Sequence, residues 1–175
     1  TIVSIHLSSK MSGTYQSAVL AGSMIDPAIT VKAVDSRAAS TGIGLCVIAA
    51  ARSVQAGKTV EQVLEDVQQV IDGLQVYFVV DTLEYLQRNG RIGLASALVG
   101  TLLNIKPVLT LVDGQVAPFE KIRGKAKALK RLRAFLQLLR RQPAVGPRGH
   151  HNRIAPARVD RDQSHPGGLL RVLAD

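Results

Sequence analysis

The sequence predicts an α/β protein, in which a partial parallel-sheet α/β domain is followed by a smaller α+β domain with an antiparallel hairpin. Two patterns predict this class. Short apolar runs alternate with helical periodicity up to residue 74, which is typical of a parallel sheet covered by helices. Further along, Asp113-Gly114 separates two β-rich runs and is a strong hairpin signal. We therefore predict domains at residues 1–74 and 75–141 and an irregular basic tail at 142–175.

The predicted first domain begins with a buried strand at residues 2–7, a short β-branched run that ends in a polar turn. Ser12 is the predicted N-cap of the next helix, because its side-chain oxygen can accept hydrogen bonds from the first helical amides. The remaining predicted elements are a helix at 15–24, a strand at 29–34 that Asp35-Ser36 ends, a helix at 42–55, and a helix that Thr59 caps and Gly73 ends.

The predicted second domain begins with a strand at residues 75–81 and a short helix that Thr82 caps and Gly90 ends. The run RIGLASALVGTLLN (91–104) is almost wholly apolar and predicts a helix. Strands at 106–112 and 115–122 form the hairpin, and residues 124–141 form a basic amphipathic helix. After Arg141 no periodicity persists, and the Pro-, Gly-, Arg- and His-rich composition predicts disorder or loose packing.

The charge is unevenly distributed. Residues 1–120 carry 8 Lys and Arg against 10 Asp and Glu, a net charge of −2, whereas residues 121–175 carry 14 against 3, a net charge of +11. The high pI therefore gives no evidence that the folded part binds nucleic acid. The longest apolar run is interrupted by Lys106 and Pro107, which argues against a membrane span. A single cysteine, Cys46, and the lack of a signal peptide favour a cytoplasmic protein.

A hydroxyl-rich stretch follows the first predicted strand. Ser8, Ser9, Ser12, Gly13 and Thr14 lie at the carboxyl end of that strand, which is where ligands of parallel sheets bind. Hydroxyls and the amides at a helix N-terminus can bind an anion, and the helix dipole favours negative charge there. The residues alone leave three interpretations open: solvated hydroxyls, a helix cap, or a site for the anionic head of a ligand.

Three long motifs occur in order: SSKMSGTYQSA, VKAVDSRAASTGIG and DTLEYLQRNGRIGLASALVGTLLNIKPVLTLVDGQVAPFEKIRGKAKAL. Over about residues 2–140 the chain closely resembles the DegV family of fatty-acid-binding proteins. The resemblance implies a non-enzymatic, cytoplasmic carrier with no cofactor, no metal and no catalytic residue. Its implied ligand is a long-chain fatty acid, such as a C16–C18 acid, in an apolar tunnel. It also implies presentation of the carboxylate to a fatty-acid kinase, and we expect a monomer.

The resemblance also implies roles for individual residues. The family's carboxylate-binding serine maps onto the Ser8-Ser9 pair, with Ser9 preferred, and Ser12, Gly13 and Thr14 complete the loop. Arg91 is the candidate cation near the head group or the kinase interface, and Arg88 is the second candidate. On spacing alone, both arginines are typical of solvated turn residues. Residues 94–103 either line the acyl tunnel or belong to an ordinary core. Asp35-Ser36 either supports the site or only ends a strand.

The sequence also departs from the family pattern. The family begins with a strand carrying an Asp-Ser pair and a Thr-Ser-Gln-Pro loop that supplies a second hydroxyl, and neither occurs in this sequence. Near Arg140 the family's C-terminal region, which includes a His-containing motif, gives way to the basic tail. A shifted reading frame in a GC-rich gene, or a truncated and partly decayed copy, is our hypothesis for the change at that point. We expect half of the head-group site to be absent, because the family's first strand and its Thr-Ser-Gln-Pro loop do not occur in this sequence.

Three alternative functions remain open from the residues. The first is a phosphate-handling small-molecule transferase that uses the Ser12-Gly13-Thr14 loop as an anion cradle, although no P-loop or triad is present. The second is non-specific nucleic-acid binding through the basic tail, for which 3% aromatic residues provide no stacking platform. The third is a fragment without function. We predict neither specific nucleic-acid binding nor membrane insertion.

Overall fold

A computed structural model of the chain describes residues 1–100 and 105–140, and it contains a two-stranded and a three-stranded sheet. The predicted α/β class, with a parallel pair followed by an antiparallel unit, is confirmed. In chain order the elements are β1 (Ile2–His6), α1 (Thr14–Met24), β2 (Val31–Asp35), α2 (Thr41–Gln55), α3 (Val60–Gly73), β3 (Tyr77–Val79), α4 (Glu84–Arg88), a 3-10 helix (Gly93–Leu98), β4 (Ile105–Val112), β5 (Gln115–Arg123) and α5 (Lys125–Arg140).

Strands β1 and β2 pair in parallel, as the alternation of strands and helices predicts. The register runs from Ile2 opposite Val31 to His6 opposite Asp35, so both strands end at the same edge of the sheet. Helix α1 connects them and packs closely on β2, where a Cβ added to Gly22 would lie 3.1 Å from the Val31 Cβ. This crossover places the segment after β1 beside the segment after β2.

Helices α2 and α3 form an apolar core with the first sheet. Cys46, Val67 and Ile71 are buried together, and Ile5 and Val34 pack against them from the strands. Burial raises the pKa of the Cys46 thiol, as expected for a small apolar core residue. Thr59 caps α3 as predicted, in a reciprocal capping box with Gln62.

The second sheet is antiparallel, in the order β3-β4-β5. The hairpin at Asp113-Gly114 is confirmed, and both turn residues have positive φ, 48° and 78°. The core under this sheet contains five buried apolar residues from α4, the 3-10 helix and the hairpin: Leu83, Ala95, Leu98, Leu109 and Val116.

Two sequence predictions about helices are wrong. The N-cap of α1 is Gly13, not Ser12, although the Ser12 hydroxyl accepts a hydrogen bond from the Thr14 amide at 3.3 Å. The apolar run predicted as one helix forms only the 3-10 helix, while residues 101–104 lie outside the described part. Gly93 and Gly100 have φ values of +53° and +82°, which are incompatible with a continuous right-handed helix through them.

The remaining boundary differences are small. The strand predicted at 75–81 is limited to the three residues that pair with β4, and Leu83 rather than Thr82 is the N-cap of α4. Thr82 still accepts a hydrogen bond from the Glu84 amide at 3.1 Å. The basic tail at 142–175 lies outside the described residues.

The two sheets meet where the segment after β1 touches the hairpin turn. We call residues 7–13 the hydroxyl loop. The Ser8 side chain is fully buried and its Oγ donates to the Gly114 carbonyl at 2.6 Å. Met11 packs against the core of the second sheet. A loop of the first unit is thus anchored on the second unit.

We predict that Gly114→Ala destabilises the chain by at least about 1 kcal/mol more than Gly57→Ala, because it adds overpacking to backbone strain. Both glycines have positive φ, but a Cβ at Gly57 meets open space, whereas one at Gly114 would lie 2.3 Å from the Ser8 Oγ. Urea unfolding of the two variants measures the difference. In a Ser8→Ala background the excess should shrink, and equal costs at both glycines would contradict the proposed packing.

The hydrogen bonds of Asp66 form a contact between α2 and α3 that we predict to be sensitive to acid. Its carboxylate accepts from the Lys58 ammonium at 2.6 Å and from the Ser53 hydroxyl, and these two hydrogen bonds, in that order, lower its pKa below the ordinary 3.8. A lowered folded-state pKa gives stability that is present above the unfolded pKa and is lost as the pH falls through the folded pKa. Asp66→Asn should therefore reduce the loss of stability below pH 4. Unchanged acid dependence in urea titrations would refute this.

Candidate functional site

The hydroxyl loop is folded by hydrogen bonds to Ser8. The Ser8 carbonyl accepts from the amides of Met11 (3.0 Å) and Ser12 (3.1 Å), and the Ser8 Oγ accepts from the amide of Lys10 at 3.2 Å while it donates to Gly114. The Ser8 amide in turn donates to the Ala38 carbonyl at 2.8 Å. All polar groups of Ser8 are therefore used within the protein, and Ser8 is a structural residue of this loop.

Ser9 differs from Ser8 in the hydrogen bonding of its side-chain hydroxyl. Its amide donates to the Asp35 Oδ1 at 3.2 Å, but its Oγ has no hydrogen-bond partner within residues 1–100 and 105–140. The residue is half-buried. An unpaired hydroxyl of this kind can donate to an incoming acceptor without first breaking a bond inside the protein.

The first turn of α1 adds further donors. Its first backbone bond is the one from the Ser17 amide to the Gly13 carbonyl, at 2.9 Å, so the amides of Tyr15 and Gln16 lack intrahelical acceptors. The first turn contains no acidic side chain. The hydroxyls of Ser12 and Thr14 lie at the same end of the helix. No acidic side chain in the first turn of α1 therefore offsets the partial positive charge of this helix end.

The segment after β2 supports the loop from the other side. The Asp35 carboxylate accepts from the amides of Ser9 and Arg37, the latter at 2.9 Å, and the Ser36 amide donates to the His6 carbonyl at 3.0 Å. Of the two interpretations of Asp35-Ser36, the supporting role is the one that the contacts favour. Ser36 is buried like Ser8.

The two candidate arginines lie in different surroundings. Arg91 reaches the hydroxyl loop, where its Nε donates to the Met11 carbonyl at 3.1 Å, and its Nη1 donates to the Asn89 carbonyl at 2.5 Å. Arg88 instead pairs with Glu84 one turn away on α4, at 2.6 Å, and its side chain is 72% exposed. The structure therefore brings Arg91, but not Arg88, to the other candidate residues.

A groove of about 190 Å³ lies at the junction of the two units. Ligand pockets for small molecules usually measure about 300–1,000 Å³ and are mostly apolar, so this groove does not fit a long acyl chain. Charged and polar side chains contribute to its walls, including the Arg37–Asp72 ion pair at 3.3 Å. Its lining residues are Ser36, Arg37, Ile71, Asp72, Leu74, Val76, Leu111, Asp113 and Gly114.

Sequence reasoning missed two contributors to the site. Gly114 was predicted only as a turn residue, and Met11 was not singled out, yet both fix the hydroxyl loop. A Gly in a hairpin turn signals positive φ, but no sequence pattern indicates which distant loop it touches. In the described ranges no three His, Cys, Asp or Glu side chains are grouped as a metal site, and no helix there is long and apolar enough to cross a membrane.

Comparison with known proteins gives consistent matches. Residues 1–157 match the DegV family, which is described as uncharacterised, and this span includes the first part of the predicted tail. A DegV domain-containing protein of Streptomyces coelicolor is 43% identical over 131 residues, which is 75% of this chain and 46% of that protein. Protein DegV of Bacillus subtilis is 38% identical over 136 residues, 77% of this chain and 48% of that protein.

Solved structures agree with these matches. A DegV family protein from Thermus thermophilus, described by its fatty acid binding, superposes with a TM-score of 0.70 and 43% identity over 79% of this chain and 48% of its own. One from Ruminococcus gnavus, described with vaccenic acid, gives a TM-score of 0.69 and 34% identity over 78% of this chain and 50% of its own. The chain spans about half the length of these relatives. By its sequence and its fold, this chain belongs to the DegV family.

Proposed function

We propose that this chain binds the carboxylate of a long-chain fatty acid, such as a C16–C18 acid, at the hydroxyl loop. The observation that carries the proposal is the Ser9 hydroxyl, which is unpaired within the described residues and belongs to the loop that leads into the N-terminus of α1. The solved relatives from Thermus thermophilus and Ruminococcus gnavus are described with fatty acid ligands, which supports the same ligand class here.

A carboxylate suits this end of α1 for electrostatic reasons. It has only acceptor atoms, and the proposed donors are the Ser9, Ser12 and Thr14 hydroxyls with the amide of Gly13. The helix end favours negative charge, and no acidic side chain occupies its first turn. The buried Ser8 holds the loop in place and is not proposed to contact the ligand.

We propose a binding role without catalysis. An activated serine needs a general base within hydrogen-bond distance of its Oγ. The nearest carboxylate contact, from Asp35, is made to the Ser9 amide and not to its hydroxyl, and the Oγ has no basic partner within the described ranges. This arrangement supports a carrier over the transferase that the sequence left as an alternative.

The acyl chain requires an apolar surface beside the head-group site. Leu94 and Val99, which are 52% and 40% exposed, flank the buried Ala95 and Leu98 at the core on which Met11 packs. We propose that this exposed apolar edge contacts the part of the chain nearest the carboxylate. Under this proposal both interpretations of residues 94–103, tunnel lining and core, apply to the described part of the segment. Its buried residues belong to the core and its exposed residues contact the acyl chain.

The proposed division near residue 74 fits the two cores. The core of the first sheet and its helices draws on residues no later than Ile71, whereas the other core draws on residues from Phe78 onward together with Met11. Met11 and the Ser8 hydroxyl are therefore two side-chain links between the hydroxyl loop and the second unit. Ligand binding at this loop would lie at the boundary between the units.

Presentation to a fatty-acid kinase is an extension of the proposal. Ser9 is only half-buried and Thr14 is exposed, so a carboxylate held between them would remain accessible to a second protein. Because Ser8 is not proposed to contact the ligand, a phosphorylated head group could leave the site without movement of this buried residue.

We predict that Ser9→Ala weakens palmitate binding by about 10- to 100-fold, the range for a lost hydrogen bond to a charged group. Its melting temperature should stay unchanged, because the Ser9 hydroxyl has no partner in the described protein. Ser17→Ala is the matched control, since it removes an exposed hydroxyl from α1, the helix that follows the loop. Isothermal titration with palmitate measures both affinities.

Titration with palmitic acid methyl ester distinguishes recognition of the carboxylate from burial of the acyl chain. The ester lacks the charge but keeps a carbonyl acceptor, so it should bind less tightly than palmitate and should lose less affinity in Ser9→Ala. Equal palmitate affinity in Ser9→Ala and the original chain would contradict the proposed site. Competition by inorganic phosphate with no effect of the acyl chain would favour the transferase.

A further inference from the structure

We propose that Arg91 is a positioning residue that holds the hydroxyl loop in its ligand-binding form through the Met11 carbonyl. This inference rests on the proposed function of the loop and assigns Arg91 a role different from that of a head-group cation. The role expected from the sequence is that of a cation near the exposed head group or at the kinase interface. The hydrogen bonds of the guanidinium favour the positioning role.

The guanidinium is bound to two backbone carbonyls. Its Nε donates to Met11 at 3.1 Å and its Nη1 donates to Asn89 at 2.5 Å. A guanidinium is planar, so two acceptors on different edges fix both its position and its orientation. One acceptor belongs to the hydroxyl loop and the other to the end of α4. Arg91 therefore connects two backbone segments that are distant in sequence.

The end of α4 directs Arg91 toward the loop. The Arg91 amide donates to the Leu86 carbonyl at 2.8 Å and the Gly90 amide donates to the Gln87 carbonyl at 3.0 Å. Gly90 has a φ of +69°. Such a helix end with a left-handed glycine reverses the chain direction over one residue. The position of the Arg91 backbone is thus set by backbone hydrogen bonds at the end of α4, separately from its side-chain contacts.

The bond to Met11 acts on the peptide that leads into the donor residues. The Met11 carbonyl and the Ser12 amide belong to one planar peptide unit. Arg91 binds the carbonyl side of this unit, and the Ser8 carbonyl accepts from its amide side at 3.1 Å. The orientation of this peptide sets the direction in which the chain runs through Ser12 and the N-cap Gly13 into α1. Loss of Arg91 would free one of its two sides.

The two roles predict different behaviour on substitution. A cation that contacts the carboxylate can be replaced in part by lysine, and its loss reduces the salt dependence of binding. A guanidinium that joins two carbonyls cannot be replaced by a single ammonium in the same geometry. Its loss weakens binding without changing the salt dependence. Arg88, which pairs with Glu84 on α4, is a matched control for an exposed arginine in this region.

The test uses the full chain and the variants Arg91→Lys, Arg91→Gln and Arg88→Gln. Hydrogen–deuterium exchange of the ligand-free proteins reports on the amides of residues 9–14, and titration with palmitate at several salt concentrations reports on affinity. We expect faster exchange in this segment for both Arg91 variants. We also expect palmitate binding about tenfold weaker in both, the scale for a lost charge-assisted hydrogen bond.

Each outcome separates the hypotheses. Unchanged exchange in the Arg91 variants, or full binding by Arg91→Lys, overturns the positioning role. A smaller salt dependence in Arg91→Gln also overturns it, because Arg91 would then contact the head group. Equal exchange changes in Arg88→Gln would show a general effect of lost charge and overturn it too. Faster exchange without palmitate binding by the original chain supports the effect on the loop and refutes the proposed function instead.

Discussion

The site depends on the contact between the buried Ser8 and the carbonyl of Gly114. This hydrogen bond, 2.6 Å long, joins the end of a parallel strand to the turn of an antiparallel hairpin. A buried hydroxyl without a partner would be costly, so the contact favours the position in which the two units meet. Since Ser8 also accepts from Lys10 and its carbonyl accepts from two later amides, the fold of the hydroxyl loop follows from the same residue.

In the proposed site, Ser8 is bonded within the protein and the Ser9 hydroxyl is the group that would bind a ligand. Two neighbouring residues of the loop thus differ in role. The Ser8 hydroxyl is bonded within the protein, and the Ser9 hydroxyl has no partner among the described residues. Because the Asp35 carboxylate accepts from the Ser9 amide, the proposed donors to a ligand carboxylate are hydroxyls and the amide of the N-cap Gly13. Preorganised donors of this kind need little rearrangement when the ligand arrives, which lowers the entropic cost of binding.

Much of this arrangement could be predicted from the sequence because it depends on local signals. The capping box at Thr59, the turn at Asp113-Gly114 and the parallel pair around the hydroxyl loop follow from patterns of a few residues. The misassigned helix at 91–104 shows the limit, since its apolar composition suits a helix while its glycines adopt positive φ in tertiary context. Likewise, the partners of Ser8 and Arg91 are 106 and 80 residues away, and no local pattern specifies such pairs.

The most direct test of the central claim is a crystal structure of the full chain with palmitate. The account predicts the carboxylate within about 3 Å of the Ser9 Oγ, at hydrogen-bond distance. It also predicts that Ser8 remains bonded to Gly114 when the ligand is present. A carboxylate bound elsewhere on the chain, with the Ser9 hydroxyl still unpaired, would contradict the account.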